Sequence, residues 1–140
     1  MIKVKGIIGV PASGKSTFIR EVIEQLNKKE TQINNITGPI KHHHWPEQRA
    51  IVMGIYDRLL FSGTDRLAKN VGPRFRDWIS LIAADPQYEG YTVWWEGERF
   101  SNNPTISHLI KDSNIEFTLY VLDTPEKILE QRRKSRGKAN

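Results

Sequence analysis

A glycine-rich turn near the start of the chain, at residues 9–16, most constrains how this protein can fold. The turn reads GVPASGKS, and the predicted strand at residues 2–10 leads into it. In this strand Lys3 and Lys5 first alternate with apolar residues, and the sequence then becomes wholly apolar at Ile7 and Ile8. Such a continuous apolar end is typical of a central strand that is covered on both faces. After the turn, apolar residues recur at helical spacing, namely Phe18, Ile19, Val22, Ile23 and Leu26. The sequence therefore predicts a strand, a tight turn and a helix in immediate succession.

The turn satisfies the pattern G-x-x-x-x-G-K-[ST], in which each fixed position has a chemical reason. Glycine lets backbone N–H groups surround a phosphate that a side chain would keep away. Lys15 adds a mobile positive charge and Ser16 a hydroxyl suited to Mg²⁺, while the helix offers its first N–H groups. We therefore expect a purine nucleoside triphosphate site, with ATP and Mg²⁺ as the ligands. The predicted nucleotide-binding residues are Gly9, Pro11, Ala12, Ser13, Gly14, Lys15, Ser16 and Thr17.

Composition limits the class of protein further. The 140 residues include 38% hydrophobic and 26% charged residues, which predicts a single globular domain over residues 1–140. Without cysteine there is no disulfide and no thiolate chemistry. No apolar run approaches the about 18 residues of a membrane span, and the first residues lack a signal-peptide pattern, so we expect a cytoplasmic protein. The net charge of +5 favours anionic partners, which include nucleotides and DNA.

Strand and helix patterns alternate along the remaining chain. Two apolar runs, at residues 33–40 and 50–56, flank the turn-like sequence WPEQ, which predicts a hairpin insertion at about residues 33–56. A helix over residues 46–61 fits the second run nearly as well. Further predicted elements are a polar loop at 61–72, a helix opened by Pro73, a strand at 91–95 that ends at Glu96, a helix at 105–111 and a strand at 115–123. This alternation predicts the α/β class, with a mainly parallel sheet flanked by helices.

Three consecutive histidines, His42, His43 and His44, lie within the predicted hairpin. On a strand, the first and third would share one face. The sequence offers no further ligand at metal-binding spacing, so we expect these histidines to occupy a solvent-exposed face of the hairpin.

With the phosphate-binding turn, two further segments resemble the small nucleoside and nucleotide kinases of the P-loop class. The first, YTVWWEGERF at residues 91–100, is similar to the strand that in such kinases delivers an acid to Mg²⁺ or its waters. The resemblance implies that Ser16 and Glu96 coordinate the metal, that Lys15 and Glu96 are catalytic, and that Glu98 and Arg99 bind substrate. An edge strand followed by solvated charges is the alternative interpretation.

The second segment, FTLYVLDTPE at residues 117–126, continues to an arginine-rich stretch at residues 132–136. It resembles the strand, turn and helix end that lead into the lid of adenylate-kinase-like enzymes. This resemblance implies that Arg132 and Arg136, four residues apart on one helix face, close over the γ-phosphate as catalytic residues. A solvated helix end is the alternative. Since the family normally continues with another helix and strand, we expect a P-loop NTPase fold that lacks its last strand.

A third segment, FSGTDRL at residues 61–67, resembles a loop of bacteriophage P-loop kinases linked to DNA-base hypermodification, which phosphorylate hydroxymethyluracil in DNA. The resemblance implies that Asp57 or Asp65 accepts the proton of the acceptor hydroxyl and that Arg66 binds substrate. In this interpretation Trp94 and Trp95 would flank an extruded base.

Three functions therefore compete at the level of sequence. The first is a kinase that transfers the γ-phosphoryl group of ATP to a nucleoside, nucleotide or nucleobase hydroxyl. The second keeps this chemistry but has hydroxymethylated pyrimidines in phage DNA as the acceptor, in the cytoplasm of the host. The third is a regulatory NTPase or nucleic-acid-binding module.

Overall fold

The computed structural model describes residues 1–9, 14–30, 36–56, 67, 70–97 and 99–122. Within these residues, six strands form one sheet and three α-helices accompany it. The strands are β1 (Ile2–Ile8), β2 (Ile36–Thr37), β3 (His42–Trp45), β4 (Ala50–Met53), β5 (Thr92–Glu96) and β6 (Ile115–Val121). The helices are α1 (Lys15–Lys29), α2 (Val71–Ala84) and α3 (Asn103–Lys111), with a short 3-10 helix at Pro86–Tyr88.

The sheet has the order β2-β3-β4-β5-β1-β6. Strands β4, β5, β1 and β6 run parallel to one another, whereas β3 is antiparallel to both β2 and β4. Five of the six strands therefore run in one direction, which confirms the predicted α/β class with a mainly parallel sheet. The predicted central position of β1 is confirmed too, because Gly6 pairs with Trp95 on one side and with Leu119 on the other.

Alternating side chains of the sheet build two apolar layers. One layer packs against α1, and its buried members are Ile7, Ile19, Trp45, Ala50, Val52 and Tyr56. The larger layer packs against α2 and α3, and its fully buried members include Val4, Ile51, Met53, Phe75, Ile79, Val93, Trp95 and Leu109. The sheet is thus covered on both faces, as the continuous apolar end of β1 predicts.

The helices begin close to their predicted positions. Helix α2 begins at Val71, two residues before Pro73, and buries Phe75, Ile79 and Ile82. The start of α3 is fixed by Asn102, whose side chain accepts the backbone N–H of Thr105 at 3.0 Å. As a result, α3 begins two residues before the predicted helix at 105–111. Among the described residues, no helix has the length and apolarity needed to cross a membrane.

The predicted hairpin is confirmed in its described part. Strands β3 and β4 pair antiparallel through a turn at residues 46–49, in which Arg49 adopts a positive φ of 53°. The alternative helix at residues 46–61 is therefore wrong over its described part, residues 46–56. The turn is bound to the end of α1, because the Glu30 carboxylate accepts the backbone N–H groups of Glu47 and Gln48, each at 3.3 Å. Of the strand predicted at 33–40 only Ile36–Thr37 is formed, and residues 33–35 lie outside the described part.

The expectation of a solvent-exposed histidine face is wrong. His42 is 6% exposed and His43 is 4% exposed, because β3 lies inside the sheet between β2 and β4. The ring of His42 packs 5.1 Å from that of Trp78, and His44 contacts the Tyr91 hydroxyl at 2.8 Å. His43 points to the other face, towards α1. Position within the sheet, rather than polarity, decides their burial.

Candidate functional site

The predicted phosphate-binding segment lies at the carboxyl end of the central strand. β1 ends at Ile8, Gly9 follows it, and α1 begins at Lys15 directly after Gly14. Residues 10–13 lie outside the described part of the chain, and with them the predicted ligands Pro11, Ala12 and Ser13. The predicted strand and helix on either side of the turn are confirmed.

Gly14 has a backbone geometry that favours glycine. Its φ of 99° and ψ of 15° lie in the left-handed region, which side chains disfavour. As the N-cap of α1, it has no side chain to occupy the first N–H groups of the helix. The first turn, which contains Ser16 and Thr17, has no acidic residue. The partial positive charge of this helix end is therefore suited to an anion.

The side chain of Lys15 reaches back to the end of β1. Its Nζ donates a hydrogen bond of 2.6 Å to the carbonyl of Gly9, six residues earlier. The contact joins the lysine of the motif to its first glycine and places the ammonium group between the end of β1 and the start of α1. A mobile lysine in this position can exchange a backbone carbonyl for a phosphate oxygen, because it is a compact point charge on a flexible stem.

Glu96 is the last residue of β5 and pairs with Ile7 of β1. It is 4% exposed, which makes it the one carboxylate besides Glu30 that is buried among the described residues. Alternation along β5 places Glu96 on the same face as Trp94, whose ring lies 6.2 Å from that of Phe18 in the first turn of α1. The predicted metal ligands Ser16 and Glu96 thus lie near the carboxyl ends of the parallel strands and on the same face of the sheet.

The donors at this edge suit magnesium better than a softer metal. The structure describes no group of three or more His, Cys, Asp or Glu side chains that could hold a metal ion in the ranges it covers. Magnesium does not need such a cage, since it keeps several waters and is usually held by one or two carboxylates and the phosphates of its substrate. A serine hydroxyl and one carboxylate are oxygen donors of this kind.

The remaining predicted site residues divide into two groups. Arg99 is described, and its Nε donates to the carbonyl of Leu67 at 3.5 Å, so it lies between the end of β5 and the segment before α2. The other predicted residues lie outside the described part of the chain, and these are Asp57, Asp65, Arg66, Glu98, Arg132 and Arg136.

The expectation that Trp94 and Trp95 flank a base is wrong. The two side chains point to opposite faces of β5, and Trp95 is 0% exposed in the core. Its ring stacks on Phe117 at 6.2 Å and meets Phe100 edge-on at 5.9 Å. The alternative of an edge strand is wrong too, because β5 lies between β4 and β1.

Sequence reasoning missed Tyr56, which lies just past the carboxyl end of β4. Its hydroxyl donates to Glu96 Oε1 at 3.1 Å, so Tyr56 lies at the same carboxyl end of the parallel strands. The available signal was a tyrosine at the end of an apolar run, which equally fits a core residue.

Comparison with models of known protein families and with curated protein sequences gave no match. What the described residues can do chemically follows from their own geometry. Four features lie at the carboxyl ends of β1 and β5: a left-handed glycine, a lysine bonded to the Gly9 carbonyl, an acid-free helix start and a buried carboxylate. The left-handed glycine and the acid-free helix start are features that favour a bound anion.

Proposed function

We propose that this protein is an ATP-dependent kinase with the P-loop NTPase fold. It binds ATP and Mg²⁺ through residues 9–17 and transfers the γ-phosphoryl group to a hydroxyl of a nucleoside, nucleotide or nucleobase. The observation that carries the proposal is the adjacency of two elements. The G-x-x-x-x-G-K-S turn leaves the central strand beside a strand that ends in the buried Glu96.

The sheet order supports this position for a ligand. From β1 the chain continues through α1 to the β2–β4 side of the sheet, whereas β6 pairs with the opposite edge of β1. Ligands of open α/β sheets bind beyond the carboxyl ends of strands, at the point where successive connections diverge to the two sides. In this sheet that point is the end of β1, where Gly9 begins the turn.

Phosphoryl transfer depends mainly on positioning and on stabilising negative charge. Backbone N–H groups at the start of α1 would hold the phosphate oxygens. Lys15 would leave the Gly9 carbonyl and bind between the β- and γ-phosphates. Ser16 and Glu96 would hold Mg²⁺, which when bound neutralises charge on the phosphates. Asp57 or Asp65 is the proposed base for the acceptor hydroxyl, and Arg132 and Arg136 are proposed to close over the γ-phosphate.

The test is a transfer assay with γ-labelled ATP and Mg²⁺ against free nucleosides, nucleotides and DNA that contains hydroxymethylated pyrimidines. Transfer of label to one of these acceptors supports the kinase, provided that the variant Lys15→Met abolishes this transfer. Label released only as inorganic phosphate, whatever the acceptor, would instead favour the regulatory NTPase. Absence of ATP binding would contradict both functions.

If DNA is the acceptor, two further results are expected. A polyanionic acceptor fits the net charge of +5, and binding should then weaken steeply as salt is added, because each phosphate contact releases counterions. Single-stranded or mismatched sites should react at least as well as paired ones, since the base must leave the stack. Label in a free nucleoside but never in hydroxymethylated DNA would contradict the DNA acceptor and leave the small-molecule kinase.

A further inference from the structure

Tyr56 forms a buried hydrogen bond to the acid of the proposed site. Its hydroxyl donates to Glu96 Oε1 at 3.1 Å across 40 residues of sequence. Tyr56 is 9% exposed and Glu96 is 4% exposed, so the bond is largely shielded from water. A hydrogen bond to a charged acceptor in such surroundings is stronger than one between neutral groups.

Tyr56 is itself held in place by the hairpin. The chain leaves β4 through Gly54, whose φ of 103° only glycine adopts readily, and the Gly54 N–H donates to the Lys41 carbonyl at 2.9 Å. Two residues later, the backbone N–H of Tyr56 donates to Nε2 of the buried His43 at 2.9 Å. Because Nε2 accepts this N–H, it carries no proton of its own. The histidine thus fixes the backbone of Tyr56 in a position from which the tyrosine hydroxyl reaches Glu96.

We infer that Tyr56 is a positioning residue that orients the Glu96 carboxylate for Mg²⁺ and its waters, an inference that rests on the proposed function. A glutamate side chain at the end of a strand can rotate about three torsions, and a directional bond to Oε1 restricts the plane of its carboxylate. Partners that orient metal-binding carboxylates typically change metal affinity or activity by about 10- to 100-fold when removed.

The variant Tyr56→Phe removes the hydroxyl and keeps the ring and the backbone bond to His43. ATP affinity is measured by calorimetry with Mg²⁺ and again with EDTA, so that no acceptor or turnover is required. In Tyr56→Phe the gain in ATP affinity from Mg²⁺ should shrink by about 10-fold. Metal-free ATP affinity should stay at the parent value, because the phosphate contacts of the turn are unchanged.

A matched control is Tyr91→Phe. Tyr91 is also buried, at 6% exposure, and its hydroxyl contacts another histidine of β3, His44 Nε2, at 2.8 Å. It lies on the opposite face of the sheet from Glu96. The variant Tyr91→Phe should lower stability about as much as Tyr56→Phe does. It should leave the Mg²⁺-dependent gain in ATP affinity unchanged. If the two variants show the same Mg²⁺ dependence, the inference is overturned.

A double variant tests whether Tyr56 acts through Glu96. In the Glu96→Gln background the Mg²⁺-dependent gain is already reduced, so adding Tyr56→Phe should change it by less than about 2-fold if the two residues act as one unit. A full additional loss would overturn the inference. Failure of the proposed function gives a different result, in which the parent binds no ATP or Lys15→Met binds it equally well, and this overturns both proposals.

Discussion

The indole of Trp95 lies directly on the backbone of Gly6, its neighbour across β5 and β1. A Cβ atom at position 6 would lie 2.3 Å from Cζ2 of the indole and 2.6 Å from Cε2. Gly6 is needed here for space rather than for an unusual φ, because it leaves room for a fully buried tryptophan. The close contact fixes β5 against β1 one residue before Glu96.

Replacing Gly6 with alanine should therefore destabilise the protein. The indole cannot move away freely, because Phe100 and Phe117 pack against it. We expect the free energy of unfolding in urea to fall by about 1–3 kcal/mol, the usual cost of overpacking a core. The matched control is Gly72→Ala in α2, where the nearest atom to a new Cβ lies at 3.6 Å. An equal loss in both variants would contradict the packing role of Gly6.

The variant Lys15→Met should lose ATP affinity while keeping its fold. A charge-assisted bond to a phosphate contributes about 1.5–3 kcal/mol, which corresponds to roughly 10- to 150-fold in the dissociation constant. Calorimetry measures the affinity, and thermal unfolding checks the fold. Lys28→Met, at an exposed position near the other end of α1, is the control and should bind ATP like the parent. Equal affinity of Lys15→Met and the parent would exclude the predicted phosphate site.

The variant Glu96→Gln should lower the turnover of ATP by about 100-fold with little change in stability. Glutamine keeps an oxygen that can accept a hydrogen bond from the Tyr56 hydroxyl, whereas the negative charge that attracts Mg²⁺ is lost. Steady-state rates at saturating Mg²⁺ provide the measurement, with the exposed Glu116→Gln on β6 as the control. Unchanged turnover would indicate that Asp57 or Asp65, rather than Glu96, is the acid that orients Mg²⁺ and its waters.

Stability should fall in mild acid because of the histidines of β3. Burial lowers the pKa of His42 below its ordinary value of 6.5, with His44 adding to this effect and the bond to the Ile40 carbonyl opposing it. Burial lowers the pKa of His44 as well, and the charge of Glu30 opposes it. Both histidines are neutral in the folded and unfolded states well above pH 6.5. As the pH falls below about 6.5, the unfolded chain binds protons first, so stability is lost until the pH passes the folded pKa values.

Urea unfolding between about pH 8 and pH 5 measures this loss. The variant His42→Asn keeps a side-chain N–H donor near the position of Nδ1, which contacts Ile40 O at 2.8 Å, but does not titrate. Its stability should depend less steeply on pH than that of the parent. A parent and a variant with the same slope would show that His42 does not contribute to acid sensitivity.

Local patterns were sufficient for the elements that border the site. The apolar end of β1, the helical spacing after Gly14 and the strand that ends at Glu96 each involve residues within a few positions of one another, and all three predictions are confirmed. The kinase activity and its acceptor stay predictions, because they depend on residues such as Asp65 and Arg136 that lie outside the described chain. Burial of the histidines could not be predicted, since the sequence does not state that β2 and β4 enclose β3.

By itself, the sequence determined the strand that ends before Gly9 and the helix that follows Gly14, and it predicted the chemistry of the segment between them, because periodicity and motif spacing are local properties. Only the tertiary structure decided which strands are neighbours. Gly6 meets Trp95, and Tyr56 meets Glu96, only once β5 is inserted between β4 and β1 in one particular register. Register follows from the packing of whole faces against α1, α2 and α3, so the contacts that surround the buried carboxylate emerge from the assembled sheet.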